Sequence, residues 1–294
     1  MSIRLGFIGL GVMGGPMCRN LVRRSGVPVT AFDLNADALD ACEAGRAGSA
    51  AEVARRSDIV FLSLPAAPHV ESVVLNDVLP HARPGQTVVD LSTSPVELAQ
   101  RLAAMLAGEG LTFVDAPVAR TRQAAIDGTL SITAGAPDAT AYARVEPYLR
   151  CMATEVRHCG PPGAGALVKL LNNLVVFETV VALAEAVTLA RRTGLVSDDT
   201  LFDALGAGSA ASFVLDNHGR KALLPDTHPR GAFPAAYMRK DIGYVLDLAE
   251  QAGVRLPAGH LAHDLLGAAC EQGHAEEYHT VVVRLIEQAG DGDA

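Results

Sequence analysis

Three glycines near the N-terminus stand at positions 9, 11 and 14, directly after an apolar, β-branched segment and directly before a helical pattern. This spacing permits a tight turn and lets the backbone approach a pyrophosphate closely. The unpaired N–H groups and the dipole at the start of the following helix then stabilise the negative charge. We therefore predict a dinucleotide site formed by Gly9, Leu10, Gly11, Val12, Met13 and Gly14. The alternative is a glycine-rich turn that binds no ligand.

Asp33 stands at the end of the second strand-like segment, 19 residues after Gly14. A carboxylate at this position can accept hydrogen bonds from the hydroxyls of an adenosine ribose. It would also repel a 2′-phosphate, because the two charges have the same sign. The sequence therefore predicts NAD as the cofactor, with NADP less favoured. Asp33 could alternatively, or at the same time, cap the helix predicted for residues 36–44.

The first half of the chain alternates short strand-like segments with helical patterns. The strand-like segments are residues 3–8, 28–32, 58–64, 87–91 and 112–115. The helical patterns between them are residues 12–24, 36–44, 69–79 and 95–106. This rhythm predicts βαβ units, with a parallel sheet, right-handed crossovers and helices on both faces.

From about residue 165 the strand-like segments end and long helical patterns take over. They cover residues 165–193, 197–205, 237–252, 261–271 and 276–288. A glycine- and proline-rich stretch, residues 159–165, predicts the connection between the two parts. We therefore predict an α/β fold in which a Rossmann-type doubly wound sheet is followed by an all-α domain. The predicted domains are residues 1–162, for the dinucleotide, and residues 163–294, for substrate and oligomerisation.

Bulk composition indicates a globular protein with a small-molecule partner. Of the 294 residues, 49% are hydrophobic and only 19% are charged, so the chain can bury a large core. The formal net charge is −9 without a run of lysine or arginine, which argues against nucleic acid or an anionic membrane surface as a partner. The five cysteines are widely spread and form neither a CxxC pair nor a metal-ligand cluster. We therefore expect reduced thiols and no metal site.

The start of the chain lacks the features of a signal peptide, so we expect a cytoplasmic protein. Polar side chains, which are costly in lipid, interrupt the most apolar long segment, residues 167–190. They are Lys169, Asn172, Asn173, Glu178 and Glu185. We therefore predict a buried helix here and no membrane span. So long an apolar helix needs more cover than one small domain offers, which favours a homodimer or homotetramer.

Four motifs span nearly the whole chain. They are GLGVMGGPM at residues 9–17, DAPVART at 115–121, GAGALVKLLNN at 163–173 and KD at 240–241. In this order and approximate spacing they resemble the β-hydroxyacid dehydrogenases, a family that includes 3-hydroxyisobutyrate dehydrogenase and tartronate semialdehyde reductase. The resemblance implies a dinucleotide-binding domain followed by an all-helical domain that also builds the oligomer.

The resemblance also implies roles for two residues of the third motif. Lys169 is similar to the family's catalytic lysine, and Asn173 is similar to the asparagine that orients the substrate beside it. Residues four apart lie on one face of a helix, so both side chains can reach the same site.

Further cofactor contacts follow from the same resemblance. It implies that Thr93 and Lys240 contact the cofactor near nicotinamide, and that Leu64 and Pro65 flank the cofactor at the end of a strand. The ends of parallel strands, at the point where the strand order reverses, are where open α/β sheets bind ligands.

The second motif departs from the family pattern. Most members have Ser-Gly-Gly after the Pro-Val, and there the serine and the backbone amides hold the substrate carboxylate. This chain has Ala119, Arg120 and Thr121 after Val118, which resembles the sulfolactaldehyde reductase branch, in which the arginine meets the anionic end of the substrate. A guanidinium offers a planar fork of donors that suits carboxylate, sulfonate or phosphate.

We therefore hypothesise that residues 118–121 bind the substrate, with Arg120 holding its anion and Thr121 and Arg122 assisting. The alternative is an Arg120 that faces solvent or pairs with a structural acid, because arginines mostly lie at surfaces.

Together these features predict an oxidoreductase that transfers a hydride between NAD(H) and a small anionic 3-hydroxy acid or semialdehyde. Candidate substrates are of the 3-hydroxyisobutyrate, tartronate semialdehyde, succinic semialdehyde or sulfolactaldehyde type. Lys169 would be the general acid/base, because desolvation lowers the pKa of a lysine amine from its usual high value. The alternatives are an imine reductase-like enzyme and a catalytically silent NAD-binding protein.

Overall fold

The computed structural model describes residues 3–289, and the chain divides into two compact units between Lys169 and Leu170. The predicted domain boundary lies at residue 162. The division in the structure falls inside a long helix, α8, which covers Ala164–Thr193.

The first unit is built from strands and helices that alternate along the chain. The strands are β1 (Leu5–Ile8), β2 (Val29–Phe32), β3 (Gly45–Arg46), β4 (Ile59–Leu62), β5 (Thr87–Asp90), β6 (Thr112–Asp115), β7 (Val118–Ala119), β8 (Leu130–Gly135) and β9 (Ala153–Gly160). The helices are α1 (Gly14–Ser25), α2 (Ala36–Asp40), α3 (Ala50–Arg56), α4 (Ala67–Ser72), α5 (Val96–Gly108), α6 (Arg122–Asp127) and α7 (Ala139–Leu149). After α4 the chain continues through a π-helical segment, Val73–Val78, and a short 3₁₀ turn, Leu79–His81.

Within residues 3–289 these strands form one nine-stranded sheet. Its first six strands lie in the order β3-β2-β1-β4-β5-β6 and are all parallel. This is the strand order of the Rossmann fold, and it reverses between β1 and β4. The predicted α/β class is therefore confirmed, and the carboxyl ends of β1 and β4 meet at the switch point.

The five predicted strands are parallel, but the sheet continues beyond β6 with strands that were not predicted. Strand β8 runs antiparallel to both β6 and β7, and β9 then pairs with β8 in parallel. The connection between β7 and β8 contains only the six-residue helix α6, and an antiparallel pair can be joined by such a short connection. No element was predicted between residues 116 and 160, so β7 to β9, α6 and α7 were not expected.

The first unit buries its central strands on both faces. The residues of β1, β4 and β5 are all buried, as expected for a parallel sheet covered by helices on each side. The rings of Phe7 and Phe61, on neighbouring strands, stack with their centroids 6.2 Å apart. Side-chain caps fix several helix starts: the side chains of Ser49 and Asp138 accept backbone N–H bonds at the starts of α3 and α7.

Helices joined by loops build the second unit, and its described residues form no strand, as predicted. Helix α8 continues into it and is followed by α9 (Asp198–Ala207), a π-helical segment (Leu215–Leu223), α10 (Ala235–Gln251), α11 (Pro257–Ala269) and α12 (Val282–Ala289). The segment Leu215–Leu223 was not predicted. The last predicted helix, residues 276–288, starts later than expected because a short 3₁₀ turn at His279–Val281 precedes α12.

Helix α8 is long and apolar enough to cross a membrane by length and composition alone. Of its most apolar 18-residue window, 44% is buried inside the protein. The core helix of a soluble protein meets the same criterion. The length and hydropathy of α8 are thus compatible with the predicted buried helix.

A cluster of uncharged histidines lies in the core of the second unit. His279 is fully buried between the ring edges of Phe177 and Phe233, with centroid distances of 5.7 and 5.9 Å. The hydroxyl of Tyr278 donates to Nδ1 of His218. Burial lowers the pKa of His218 to about 4 and holds the pKa of His279 well below its usual value. Both rings are therefore neutral at pH 7.

These histidines predict a loss of stability in acid. Their pKa values are lower in the folded chain than in the unfolded chain, so below pH ~6.5 the unfolded chain binds more protons. The free energy of unfolding should fall as the pH drops from 6.5 towards 4, by up to about 1.4 kcal/mol per pH unit for each such histidine. Urea unfolding at several pH values measures this slope.

The variant His279→Phe keeps a ring between Phe177 and Phe233 but cannot take up a proton, so its slope should be shallower. His260→Gln changes an exposed histidine and should keep the wild-type slope. An unchanged slope in His279→Phe would contradict this account.

Candidate active site

The glycine loop after β1 has the shape of a phosphate cradle. Gly9 has a φ of +94°, and a β-carbon there would collide with the carbonyl oxygen of Ser63. A β-carbon at Gly14 would collide with the carbonyl oxygen of Gly9. At Gly11, by contrast, an added β-carbon would meet no described atom within 4 Å. The first and third glycines are thus required by packing, whereas the second leaves open space beside the start of α1. This arrangement fits a bound pyrophosphate.

Asp33 is tied directly to this loop. One oxygen of its carboxylate accepts a hydrogen bond from the backbone N–H of Leu10 at 2.5 Å, and the other accepts one from the N–H of Asn35 at 2.7 Å. The alternative role of Asp33 as the cap of α2 is wrong, because the side chain of Asn35 caps this helix by accepting from the N–H of Asp37. The carboxylate therefore lies at the carboxyl end of β2 beside the loop, where a ribose would bind.

The loops after β4 and β5 are held together at the same edge of the sheet. The backbone N–H of Leu64 donates to the hydroxyl of Ser92 at 2.9 Å. The buried carboxylate of Asp90 accepts from the N–H of Ser92 at 2.9 Å and from the hydroxyl of Ser94 at 2.7 Å. These bonds position Leu64, and next to it Pro65, beside the turn that contains Thr93. Three of the predicted cofactor contacts thus lie at the carboxyl ends of β4 and β5.

Helix α8 begins at the carboxyl end of β6. The carboxylate of Asp115, the last residue of β6, accepts hydrogen bonds from the N–H groups of Gly163 and Ala166, both at 2.7 Å. Lys169 follows Ala166 by three residues and is half-buried. Asp115 belongs to the second sequence motif, but no role was predicted for it. Its hydrogen bond to Gly163 joins residues 48 positions apart, and no local sequence pattern indicates such a contact.

Asn173 lies four residues beyond Lys169 on α8, as predicted, and is 4% exposed. Its side-chain N–H donates to the carboxylate of Asp241 at 2.7 Å, within the second unit. The other oxygen of that carboxylate lies 3.2 Å from Nζ of Lys240. Asp241 therefore links two predicted site residues. The sequence signal was its place in the KD motif.

The amine of Lys240 lies over two aromatic rings. Its Nζ is 5.4 Å from the ring centroid of Tyr237 and 5.6 Å from that of Tyr244. These distances are within the range of cation–π attraction, which together with Asp241 holds the amine in place.

The predicted substrate segment forms β7 and the start of α6. Val118 and Ala119 pair with Ile132 and Ser131 of β8. The hydroxyl of Thr121 caps α6 by accepting from the N–H of Ala124 at 3.3 Å.

Arg120, between these two elements, has a φ of +86°, a conformation that favours glycine. Its Nη1 donates to the carbonyl of Thr129 at 2.6 Å and to the hydroxyl of Thr154 at 3.2 Å. Within residues 3–289 Arg120 forms no ion pair with an acid, whereas the other alternative, an arginine that faces solvent, agrees with its exposure. The side chain is exposed, and the contacts through Nη1 leave the Nε and Nη2 edge of the guanidinium without a partner in the described part of the chain.

The strand order, the glycine cradle and the carboxylate at the end of β2 define a dinucleotide-binding protein of the Rossmann class. A lysine on the helix that begins at β6 adds a group that can exchange a proton.

Comparison with known proteins supports this assignment and narrows it. The family model described as the NAD binding domain of 6-phosphogluconate dehydrogenase matches residues 4–160. The model described as NAD-binding of NADP-dependent 3-hydroxyisobutyrate dehydrogenase matches residues 163–286. The chain is similar to 2-(hydroxymethyl)glutarate dehydrogenase of Eubacterium barkeri, with 34% identity over 98% of this chain and 96% of that protein.

Two further relatives match over almost their whole length. NAD-dependent L-serine dehydrogenase of Pseudomonas aeruginosa is 33% identical over 97% of this chain and 98% of that protein. The solved structure of Mycobacterium tuberculosis 3-hydroxyisobutyrate dehydrogenase with L-serine is 30% identical and has a TM-score of 0.88, over 97% of this chain and 99% of that chain. The protein therefore belongs to the β-hydroxyacid dehydrogenase family, an oxidoreductase family that includes 3-hydroxyisobutyrate dehydrogenase, as the motifs predicted.

The glycine cradle predicts two different outcomes for the same substitution. Gly11→Ala places a methyl group where no described protein atom lies, so the free protein should keep its stability while NAD(H) affinity falls roughly tenfold or more. Gly14→Ala should lose both stability and NAD(H) affinity, because its methyl group collides with the Gly9 carbonyl oxygen. Calorimetric titration with NADH and thermal unfolding measure the two effects.

Gly108→Ala, at the end of α5, is the matched control because its methyl group also meets open space and lies outside the loop. It should leave NADH affinity unchanged. The cradle assignment fails if Gly11→Ala binds NADH as tightly as the wild type.

Proposed function

We propose that this protein oxidises a small anionic 3-hydroxy acid with NAD, or reduces the corresponding semialdehyde with NADH, and that Lys169 is the general acid/base. One observation carries the proposal. Lys169 lies in the early turns of a helix whose start is bonded to the carboxyl end of β6. The glycine loop after β1 lies at the same edge of the same parallel sheet.

The names of the relatives support a common substrate unit. 2-(Hydroxymethyl)glutarate, L-serine and 3-hydroxyisobutyrate each carry a hydroxymethyl group on the carbon that bears a carboxylate. A site for this unit needs a proton acceptor beside the hydroxyl and a cation or N–H donors around the carboxylate. We propose that 2-substituted 3-hydroxypropanoates are the substrate class of this chain as well.

The protein's own groups would act as follows. The amine of Lys169 takes the proton from the substrate hydroxyl during oxidation and returns it to the carbonyl oxygen during reduction. Asn173 orients the substrate, and its side chain is itself held by Asp241. When bound, the nicotinamide supplies the hydride acceptor or donor.

We propose NAD rather than NADP as the preferred cofactor. The carboxylate of Asp33 lies beside the loop and is held there by Leu10 and Asn35. A 2′-phosphate at the ribose would place like charges close together.

We further propose a cytoplasmic protein that forms a homodimer or homotetramer.

We also propose that Arg120 binds the substrate anion. Its Nη1 contacts with Thr129 and Thr154 hold the guanidinium in one position, and its other edge offers two N–H donors in the planar arrangement that suits a carboxylate or sulfonate. The chain keeps an arginine in a backbone conformation that costs a non-glycine residue about 1–2 kcal/mol. Such strain is often retained where a side chain has a function.

Loss of the Lys169 amine should abolish turnover without abolishing cofactor binding. For Lys169→Ala we expect kcat to fall by about 10²- to 10⁴-fold, the usual contribution of a general acid/base. NADH affinity should change little. The assay follows NADH absorbance with 3-hydroxyisobutyrate, L-serine and 2-(hydroxymethyl)glutarate, each with NAD and with NADP.

Lys221→Ala is the matched control, since Lys221 is exposed and its amine contacts only Asn217 among the described residues. It should retain wild-type turnover. A fully active Lys169→Ala variant, or a wild type that turns over none of these compounds with either cofactor, would refute the proposed function.

Two substitutions of Arg120 separate its charge from its backbone strain. Arg120→Ala and Arg120→Gly both remove the guanidinium, so both should raise KM for the anionic substrate by roughly 10- to 100-fold. Only the glycine relieves the positive φ, so Arg120→Gly should be more stable than Arg120→Ala by about 1 kcal/mol.

Arg157→Ala removes an exposed positive charge from the neighbouring strand β9 and controls for general electrostatic attraction. An unchanged KM in both Arg120 variants would rule out the proposed anion contact.

A further inference from the structure

The start of α8 is capped from a distant strand. The first N–H groups of any α-helix lack partners within the helix. Here Gly163 and Ala166 donate theirs to the two different oxygens of Asp115, each at 2.7 Å. Asp115 is 1% exposed, so its carboxylate reaches these groups away from water.

Two glycines pack directly against this carboxylate, and neither position has space for a side chain. A β-carbon at Gly135, the residue that pairs with Asp115 across the sheet, would collide with one carboxylate oxygen. A β-carbon at Gly165, in the first turn of α8, would lie against the other. The hydroxyl of Thr133 also donates to the carbonyl of Gly165 at 3.1 Å. Strand β8 and helix α8 are therefore both fitted closely around Asp115.

A buried charge at this position is costly. Desolvation raises the pKa of Asp115 to about 6, although the N–H bonds from Gly163 and Ala166 act in the opposite direction. Among the described residues, the titratable groups that act on it include the carboxylate of Asp90 from β5, which also raises the pKa, and the thiol of Cys159 from β9. At pH 7 Asp115 is mostly ionised. The folded protein therefore contains a buried negative charge whose desolvation is unfavourable.

We infer that Asp115 is a positioning residue for Lys169, and that its ionised carboxylate fixes the height and rotation of the first turns of α8 against the end of β6. This inference rests on the proposed role of Lys169. Lys169 is three residues beyond Ala166, about 4.5 Å further along the helix axis. A displacement of a reacting group by about 1 Å can lower turnover by about 10²-fold. Two short hydrogen bonds to one rigid carboxylate restrict such displacements.

The variant Asp115→Asn tests this inference with almost no change in shape. The amide keeps one acceptor oxygen but presents an N–H₂ group to a backbone N–H, so one of the two bonds is lost. We expect kcat to fall by about 10- to 100-fold while NADH affinity stays within about twofold. Hydrogen exchange of the peptide that covers residues 163–170 should be faster than in the wild type at the same pH.

Asp138→Asn is the matched control. Asp138 caps α7 by accepting from the N–H of Ala141 at 2.8 Å, and α7 carries no proposed site residue. This variant should keep wild-type kcat. Asp138→Ala, which removes that cap altogether, shows how far an ordinary loss of stability affects turnover.

The pH dependence of the wild type provides a readout that a purely structural role would not produce. Protonation of Asp115 weakens its hydrogen bonds to the start of α8, so kcat for reduction of the semialdehyde should fall as the pH drops through about 6. In this direction Lys169 acts in its protonated form, so its own protonation does not lower kcat. The stability contribution of this residue has the opposite sign: its folded pKa is raised, so its contribution is largest in acid and is lost as the pH rises through about 6. Circular dichroism at each pH confirms that the fold is intact, and the step near pH 6 should be missing in Asp115→Asn.

Each outcome decides the inference. Wild-type kcat in Asp115→Asn overturns it, and if Lys169→Ala is inactive in the same assay, the proposed function still stands. A fully active Lys169→Ala instead overturns the proposed function. If Asp115→Asn does not fold, the wild-type profile for reduction of the semialdehyde decides: a fall of kcat through pH 6 supports the inference, and a constant kcat from pH 7 to pH 5 overturns it.

Discussion

Backbone N–H groups bound to carboxylates organise the carboxyl edge of the sheet. Asp115 at the end of β6 holds the start of α8, Asp90 at the end of β5 holds the turn that follows it, and Asp33 after β2 holds the glycine loop. Each carboxylate can accept two hydrogen bonds in a fixed geometry, so loops that would otherwise be mobile are attached to rigid strands. The proposed site depends on this constraint, because loops and a helix start carry most of the candidate site residues of this unit.

The same arrangement explains how an acidic protein can bind an anionic cofactor. The formal net charge is −9, yet the carboxylates nearest the loops are occupied by backbone N–H groups. Pyrophosphate would meet the N–H groups at the start of α1 and the open space at Gly11, where an added β-carbon has no described atom within 4 Å. Asp33, whose carboxylate is bonded to the loop, is placed where it would meet ribose hydroxyls rather than phosphate.

The sequence predicted those parts of the fold that rest on local patterns. The spacing of Gly9, Gly11 and Gly14 and the apolar runs around them identified β1, the loop and α1, and the long helical period identified α8. Strand β7 has only two residues and most of β9 is exposed or half-buried, so neither gives a clear apolar pattern. Strand β8 was missed although its buried and half-buried residues alternate. Local patterns carry no information on pairing between segments that are far apart in the chain.

For the candidate site, the placement of residues close together in the chain was predictable, and contacts between distant residues were not. Lys169 and Asn173 lie one turn apart on one helix, which residue spacing alone could indicate. Asp241, the partner of Asn173, lies 68 residues further along the chain. The N–H groups that donate to Asp115 lie 48 and 51 residues further along, so neither contact leaves a local signal in the sequence. The positive φ of Arg120 was also hidden, because glycine rather than arginine is the residue that signals this conformation.

A crystal structure of the protein with NAD and a bound 3-hydroxy acid tests the central claim most directly. The claim requires the Lys169 amine to lie within hydrogen-bond reach, about 2.6–3.2 Å, of the substrate hydroxyl, with the pyrophosphate over Gly11. An amine that points into solvent, or a dinucleotide bound away from the glycine loop, would contradict it.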